Sequence, residues 1–202
     1  GDLEVGKVEL GFPLPALATE ILTTTGHHLR ERSPQRQPLT EGRFEKVSMA
    51  GRPGFDASLL LSAGEPGFGF EHGEVYSVHV GWSGNSVLSA ERQPYTTGLI
   101  GGGEVLLGGE ATLARGETYT TPWLYGSYGD GLNEVAARFH DYVRSCHPDL
   151  AVKPRPVILN TWEAVYFDHD YDTLKALADK AGDSGVERFV RSEERRVGKE
   201  CR

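Results

Sequence analysis

Hydrophobic and polar positions between Gly42 and Thr121 form short apolar runs separated by glycine-rich turns. The runs are rich in β-branched, aromatic and leucine residues, and they recur at about ten-residue spacing, which is typical of antiparallel sandwiches and barrels. We therefore expect a mostly β region, with strands at RFEKVSMA, ASLLLSA, EVYSVHVGW, NSVLSAER, GEVLLGG and ETYTT.

The turns are predicted from the same segment at GRPG, GEPGFG, SGN and GGG. The two runs around SGN predict a β-hairpin. No helix pattern follows Gly101–Gly103, so we interpret it as a turn rather than a cradle for phosphate. Gly1–Pro38 is poorly periodic, and we interpret it as the end of a larger β region with a short helix near Leu17–Thr25.

The pattern becomes helical after Asp130, where apolar residues recur every three or four positions. Asp130 is predicted to cap this helix and Pro148 to end it. The next segment, HPDLAVKPRP, has no clear periodicity and carries prolines, so it predicts a connector between domains. The apolar positions of the helix are Leu132, Val135, Ala136, Phe139, Tyr142 and Val143.

A pattern typical of α/β proteins follows the connector. VILNTWEAVYFD begins as a continuous apolar run, as a parallel strand covered on both faces does. A helix with Asp172 as its cap and Gly185 at its end is predicted next, before a second buried strand at VERFV. This order predicts the first repeat of an α/β barrel or a doubly wound sheet. The buried stripe of the helix is predicted at Leu174, Leu177, Ala178 and Ala181.

Composition and charge narrow the classes of function. The chain has 202 residues, 38% of them hydrophobic, and a formal charge of −8. Such an acidic surface repels phosphate backbones, so nucleic acid is not an expected partner. The apolar runs are far shorter than the roughly 20 residues that cross a bilayer, and GDLEVGKVEL lacks the layout of a secretion signal. We therefore expect no membrane partner. The two cysteines form no disulfide framework, which favours a reducing compartment, and we expect a cytoplasmic location.

The segment NTWEAVYFDHD is the richest in candidate chemistry, because it begins where the first predicted parallel strand ends. The indole of Trp162 offers a face that stacks on the C–H face of a sugar ring. The alternative is a tryptophan that fills the gap between two domains, and the residues alone favour that role. Glu163 and Asp168 are candidates for a catalytic acid or base. A glycosidase needs two carboxylates that flank one bond, and spacing along a single loop does not show such a pair, so surface or capping roles are the interpretation for both residues.

We expect no metal and no organic cofactor. The aspartates of NTWEAVYFDHD and Asp172 alternate as in a calcium loop, but Thr173 stands where such a loop requires glycine, and no glutamate closes it. His27 and His28 are adjacent, and neither a helix nor a strand easily turns both toward one metal ion.

Several segments of the chain resemble family 36 of the glycoside hydrolases, the α-galactosidases. PRPVILNTWEAVYFDHD, with the helix and GVERFV after it, is similar to the opening of that family's catalytic barrel. RERSPQRQPLTEG, GFGFEHGEVYSVHVGWSGN and TTPWLYGSYGDGLNEVAARFH resemble its N-terminal β-supersandwich and exit helix. The resemblance implies an antiparallel β-supersandwich at residues 1–128, a helix and connector at 129–156, and the start of a (β/α)8 barrel at 157–190.

The resemblance also implies an activity. Members of this family are retaining α-galactosidases that act on melibiose- or raffinose-type oligosaccharides without a cofactor, and full-length relatives are commonly homo-oligomers. Their two catalytic aspartates lie much further along the barrel, so we expect no catalytic residue within this sequence. Trp162 is the residue that the resemblance carries over, as part of the galactose pocket wall. Since a barrel closes with eight strands and this chain has two, we expect the chain by itself to be inactive.

Two alternatives stay open at this point. A carbohydrate-binding β-sandwich would hold a glycan on surface aromatics such as Trp82 and Trp123 without chemistry, but it has no use for the start of a barrel. A related α-N-acetylgalactosaminidase would share the fold, and the pocket residues that would decide between the two sugars lie outside the chain.

The charged run RSEERRVGKECR, Arg191–Arg202, does not suit the end of a buried strand, because unpaired interior charges are costly. In the family resembled, the GVERFV strand is followed by Leu-Asp-Asp-Gly-Trp-Phe, whose paired aspartates bind galactose hydroxyls. Arg191 stands at the first of these six positions, one residue before the aspartates. The run reads like the translation of a short-read sequencing adapter, and we expect it to be an artefact. The alternative is an ordinary charged terminal segment.

Overall fold

The computed structural model describes residues 1–55 and 59–191. The charged run Arg191–Arg202, which we expect to be an artefact, lies outside the described residues apart from Arg191. The chain divides into two units, residues 1–143 and residues 144–202. Within the described ranges, no helix is long and apolar enough to cross a membrane.

The first unit is built mostly from strands. They are β1 (Leu3–Glu4), β2 (Lys7–Leu14), β3 (Glu20–His27), β4 (Arg30–Pro38), β5 (Gly42–Ser48), β6 (Leu60–Gly64), β7 (Glu74–Val80), β8 (Ser86–Gln93), β9 (Thr96–Val105), β10 (Thr112–Leu113) and β11 (Leu124–Asp130).

These strands form two main antiparallel sheets, with the core between them. One sheet has the order β2–β9–β8–β5 and the other β11–β7–β6–β3–β4, while β1 pairs with β10. Leu88 and Ile100 of the first sheet meet Ile21, Leu61 and Val78 of the second, and each of these side chains is at most 2% exposed. Burying one such side chain contributes about 1.5–3 kcal/mol. The predicted antiparallel sandwich is therefore confirmed.

The predicted hairpin around SGN is wrong. β7 belongs to the five-stranded sheet and β8 to the four-stranded sheet, so the chain crosses from one sheet to the other at this turn. Val78 and Val80 of β7 and Leu88 and Ala90 of β8 pack into the same core cluster from opposite sides. Two apolar runs with a short turn between them look alike in sequence whether they pair or face each other.

Three further predictions for the first unit are wrong. The short helix near Leu17–Thr25 is mostly strand β3, because that segment pairs with both β4 and β6. Gly101–Gly103 is not a turn but the middle of β9, paired with β2 and β8. ETYTT forms no strand. Its Tyr119 hydroxyl instead donates to the buried carboxylate of Glu104, which raises the pKa of Tyr119 to about 12.

Helix α1 (Leu132–Cys146) follows β11 and ends before Pro148, as predicted. Its Val135 is buried with Phe68 and Val75, while Tyr142 and Val143, also predicted for the apolar stripe, are about half exposed. The predicted cap is wrong, because Asp130 is the last residue of β11.

Backbone carbonyls take the place of the predicted cap of α1. The N–H groups of Leu132 and Asn133 each donate at 3.0 Å, to the carbonyls of Gly69 and Phe70 respectively. These are two of the four donors that a helix N-terminus leaves without a partner in its own helix. A long-range contact of this kind has no local signal in the sequence.

The second unit has the predicted order of strand, helix and strand. After a 3-10 turn at Pro148–Ala151 come β12 (Ile158–Asn160), the one-turn helix α2 (Trp162–Val165), α3 (Tyr171–Asp183) and β13 (Arg188–Val190). β12 and β13 are parallel. Gly185 follows α3 with a φ of +80°, in agreement with its predicted place at the helix end. The predicted stripe of α3 is confirmed, since its four residues are buried or half-buried.

Asp170, and not Asp172 as predicted, caps α3. Its Oδ2 accepts a hydrogen bond of 2.9 Å from the backbone N–H of Thr173, and this bond lowers the pKa of Asp170. Asp172 lies in the first turn, where a negative charge suits the positive end of the helix. The two aspartates are two residues apart and chemically identical, so the sequence pattern does not separate them.

Asp170→Ala is expected to lower the melting temperature by about 4 °C near neutral pH, whereas Asp170→Asn keeps an oxygen acceptor and loses less. Because the folded-state pKa of Asp170 is lowered, its contribution is present above the unfolded-state pKa and is lost as the pH falls through the folded-state pKa. The difference between wild type and Asp170→Ala should therefore shrink below about pH 4. Circular dichroism melts across this range test this, and an equal loss in Asp172→Ala would contradict it.

Candidate functional site

The candidate site lies at the carboxyl end of the parallel pair β12 and β13, the edge at which barrels and open α/β sheets bind ligands. Asn160 and Val190 are paired partners, so the residues that follow them emerge side by side. Asn160 Oδ1 accepts a hydrogen bond of 2.8 Å from the N–H of Trp162. This bond turns the chain out of the strand and into α2.

Thr161 is fully buried between the two strand ends. Its N–H donates to the carbonyl of Val190 at 3.0 Å, and its hydroxyl donates to the carbonyl of Arg191. Its own carbonyl accepts hydrogen bonds from the N–H groups of Ala164 and Val165. One residue thus joins β12, the chain after β13, and α2.

Trp162 is the first residue of α2 and is half-buried. The rings of Tyr166 and Phe167 meet it edge-to-face, with centroids 5.3 and 5.2 Å away and interplanar angles of 81° and 86°. Such pairs are worth about 0.5–1.5 kcal/mol each beyond the area that they bury. The two rings hold the indole in one orientation, as a sugar-stacking surface requires.

Tyr166 has an unusual backbone conformation, with φ of 46° and ψ of −111°. Its N–H donates to the carbonyl of Trp162 at 2.8 Å, and its hydroxyl donates to Glu163 Oε2 at 3.1 Å. The Glu163 carboxylate raises the pKa of Tyr166 through this hydrogen bond. Non-glycine residues in such conformations cluster at ligand clamps and active sites.

The other candidate side chains of this segment have structural partners or lie in solvent. Glu163 is bonded to Tyr166, Asp170 caps α3, and Asp168 is exposed on the loop between α2 and α3. Within residues 1–55 and 59–191, no three His, Cys, Asp or Glu side chains come together as a metal site. His27 Nδ1 contacts the carbonyl of His28 at 2.7 Å.

The two tryptophans of the alternative sugar-binding interpretation lie in the first unit. Trp123 is 75% exposed and Trp82 is 39% exposed. The Trp82 indole lies over Gly84, where a side chain would come within 2.5 Å of the indole nitrogen. Trp123 is therefore the more accessible aromatic surface of the two.

The sequence pattern pointed to Trp162 but missed Thr161 and Tyr166. The signal for Thr161 was its position, directly after the apolar run of β12. The partners of its N–H and hydroxyl lie about thirty residues away, so their identity needed the structure. Nothing in the sequence indicates the backbone conformation of Tyr166.

Two family models match the chain one after the other. The model described as Glycosyl hydrolase family 36 N-terminal domain matches residues 1–114, and the model described as Melibiase matches residues 118–195. The chain belongs to glycosyl hydrolase family 36. The resemblance seen in the sequence is therefore confirmed, and the β-sandwich and the strand-helix-strand unit belong to one family architecture.

Relatives of this family 36 chain are α-galactosidases. It is 35% identical to an alpha-galactosidase from Escherichia coli over 194 residues, which are 94% of this chain and 27% of the relative. It is 32% identical to the bifunctional alpha-galactosidase/sucrose kinase AgaSK from Mediterraneibacter gnavus, over 85% of this chain and 19% of that protein. The chain thus spans about a quarter or less of the length of these relatives.

Solved family 36 structures share the fold. The galactosidase domain of AgaSK matches with a TM-score of 0.80 and 28% identity, covering 94% of this chain and 27% of that one. An AgaA variant from Geobacillus stearothermophilus, solved in complex with raffinose, matches with a TM-score of 0.79 and 25% identity, covering 92% of this chain and 26% of that one.

Proposed function

We propose that the complete protein carrying this chain is a retaining α-galactosidase that hydrolyses terminal α-galactosides of the melibiose and raffinose type. The observation that supports this best is the 35% identity to the Escherichia coli alpha-galactosidase over 94% of the chain. The raffinose complex of AgaA supports the class of substrate. The parallel pair β12 and β13 argues against a free-standing carbohydrate-binding sandwich, which has no use for it.

The proposed chemistry needs two carboxylates. One attacks the anomeric carbon and forms a glycosyl-enzyme, while the second, roughly 5–5.5 Å away, donates its proton to the leaving oxygen. The second carboxylate then takes a proton from the water that hydrolyses the intermediate. We propose that both carboxylates come from parts of the barrel outside this sequence, so that the 202-residue chain by itself is inactive.

The proposed role of Trp162 is to form part of the wall of the galactose pocket. Its position at the carboxyl end of β12 and the edge-to-face packing of Tyr166 and Phe167 support this role. A pre-oriented indole stacks on the C–H face of a sugar with little loss of side-chain entropy. Neither a metal ion nor an organic cofactor takes part in the proposed reaction.

The domain assignment is also part of the proposal: the β-supersandwich at residues 1–128, a helix and connector at 129–156, and the start of the barrel at 157–190. We propose that residues 191–202 are a sequencing artefact. The nucleotide sequence across the codon of Val190, read from an independent clone, tests this, because the same charged run in that clone would contradict it.

The proposed location is cytoplasmic, supported by Cys146, which is exposed and forms no disulfide within residues 1–55 and 59–191, as suits a reducing compartment. The proposed assembly of the complete protein is a homo-oligomer, as the resemblance to the family implies. Light scattering on the purified complete protein measures its mass, and a monomer would contradict this assembly.

The proposed activity is tested with the complete protein and an aryl α-galactoside. We expect turnover well above the blank, and no turnover by the 202-residue chain under the same conditions. An aryl α-N-acetylgalactosaminide is the matched comparison substrate, and a preference for it would favour the related glycosidase. Glycan binding without turnover by the complete protein would favour the binding module, and turnover by the 202-residue chain would contradict the placement of the catalytic carboxylates.

A further inference from the structure

We propose that Thr161 is a positioning residue for sugar binding, which sets the location of Trp162 relative to the residue that follows β13. This inference rests on the proposed α-galactosidase function and adds a residue that supports its pocket. Thr161 itself is fully buried, so it acts through the groups that it holds and not by touching the sugar.

The contacts of Thr161 run in two directions. Toward β13, its N–H donates to the Val190 carbonyl at 3.0 Å, and its hydroxyl donates to the carbonyl of Arg191. Toward α2, its carbonyl accepts from the N–H groups of Ala164 and Val165 at 3.0 and 3.1 Å. Trp162 is covalently next to Thr161, so the indole and the end of β13 are fixed to one buried residue.

The hydroxyl of Thr161 is the part of this arrangement that a substitution can remove. Its partner is a backbone carbonyl, which any residue at position 191 presents, so the contact does not depend on the arginine side chain. Thr161 is fully buried and Arg191 is exposed, so removing the hydroxyl releases the Arg191 carbonyl from the buried strand end and leaves it to bond with water. The residue after β13 would then no longer be held to the end of β12, and its distance from Trp162 would change.

A displaced indole contacts the sugar less well in the bound substrate and in the transition state alike, and the loss of such uniform binding raises KM with little change in kcat. Thr161 lies at the point where the second parallel strand ends, which is the ligand edge of the sheet. The expected effect of losing its hydroxyl therefore falls on sugar binding and not mainly on the stability of the core.

The test compares Thr161→Val, which keeps the shape and removes the hydroxyl, with Thr161→Ser, which keeps the hydroxyl, in the complete protein. For an aryl α-galactoside we expect KM to rise about tenfold in the valine variant, with a smaller change in kcat, and to stay within about twofold of wild type in the serine variant. The inhibition constant of free galactose should rise by the same factor as KM.

Several outcomes would overturn the inference. An unchanged KM in Thr161→Val would show that the hydroxyl is not needed for sugar binding, and an equal rise in Thr161→Ser would assign the effect to packing. If the valine variant does not fold, Thr161→Ala takes its place in the same comparison with serine. Absence of turnover by the wild-type protein would instead overturn the proposed function. That outcome differs from an active enzyme whose KM is unchanged in Thr161→Val, which would overturn only the role of Thr161.

Discussion

Trp162→Ala in the complete protein is expected to lower kcat/KM for an aryl α-galactoside by about a hundredfold. In the proposed pocket, the indole, which packs against Tyr166 and Phe167, offers its apolar face to the C–H face of galactose. Losing this stacking surface removes about 2–3 kcal/mol of binding to the transition state, which corresponds to roughly that factor. Initial rates over a range of substrate concentrations give the ratio.

Two matched variants test whether the loss of kcat/KM is specific to the aromatic face of Trp162. Trp162→Phe keeps an aromatic face and should retain most of the activity, whereas Trp123→Ala removes a more exposed tryptophan from the sandwich and should leave kcat/KM unchanged. A loss in Trp123→Ala as large as that in Trp162→Ala would favour glycan binding on the sandwich. Full activity in Trp162→Ala would contradict the pocket-wall role.

The parts of the fold that depend on local periodicity could be predicted from the sequence. The apolar spacing gave the place of α1 and the buried stripe of α3, and the continuous apolar runs predicted the parallel pair β12 and β13. These patterns show which side of each helix or strand is buried, because the spacing of apolar residues can be read from neighbouring positions in the chain. The carboxyl end of β12, and with it Trp162, followed directly from this interpretation.

The parts that depend on long-range partners could not be predicted. Whether the strands around SGN pair with each other depends on the sheets that they join, and the cap of α1 comes from the carbonyls of Gly69 and Phe70. At the site, the hydroxyl of Thr161 bonds to the carbonyl of Arg191, which lies thirty positions further along the chain. The glycine run Gly101–Gly103 predicted a turn, but these glycines lie within β9, where the neighbouring backbone leaves little room for a side chain.

Gly101→Ala is expected to destabilise the first unit strongly, by about 3 kcal/mol. Gly101 is buried in the middle of β9, and a Cβ built on it would come within 2.2 Å of the Leu10 carbonyl oxygen on β2. A backbone oxygen has no rotamer with which to move away, so the whole strand β2 must shift and loosen its pairing. Denaturant unfolding monitored by circular dichroism measures the loss.

The directly paired residue of β2 provides the control. Gly11 faces Gly101 across the two strands, but a Cβ on Gly11 would lie at an ordinary 3.7 Å from the Ile100 carbonyl oxygen. Gly11→Ala should therefore leave the unfolding free energy within about 0.5 kcal/mol of wild type. Gly101 and Gly11 are paired in the same sheet, so comparing their alanine variants separates the effect of the steric clash from the general effect of replacing glycine in a strand. Equal effects of the two alanines would show that close approach of β2 is not why β9 carries glycine.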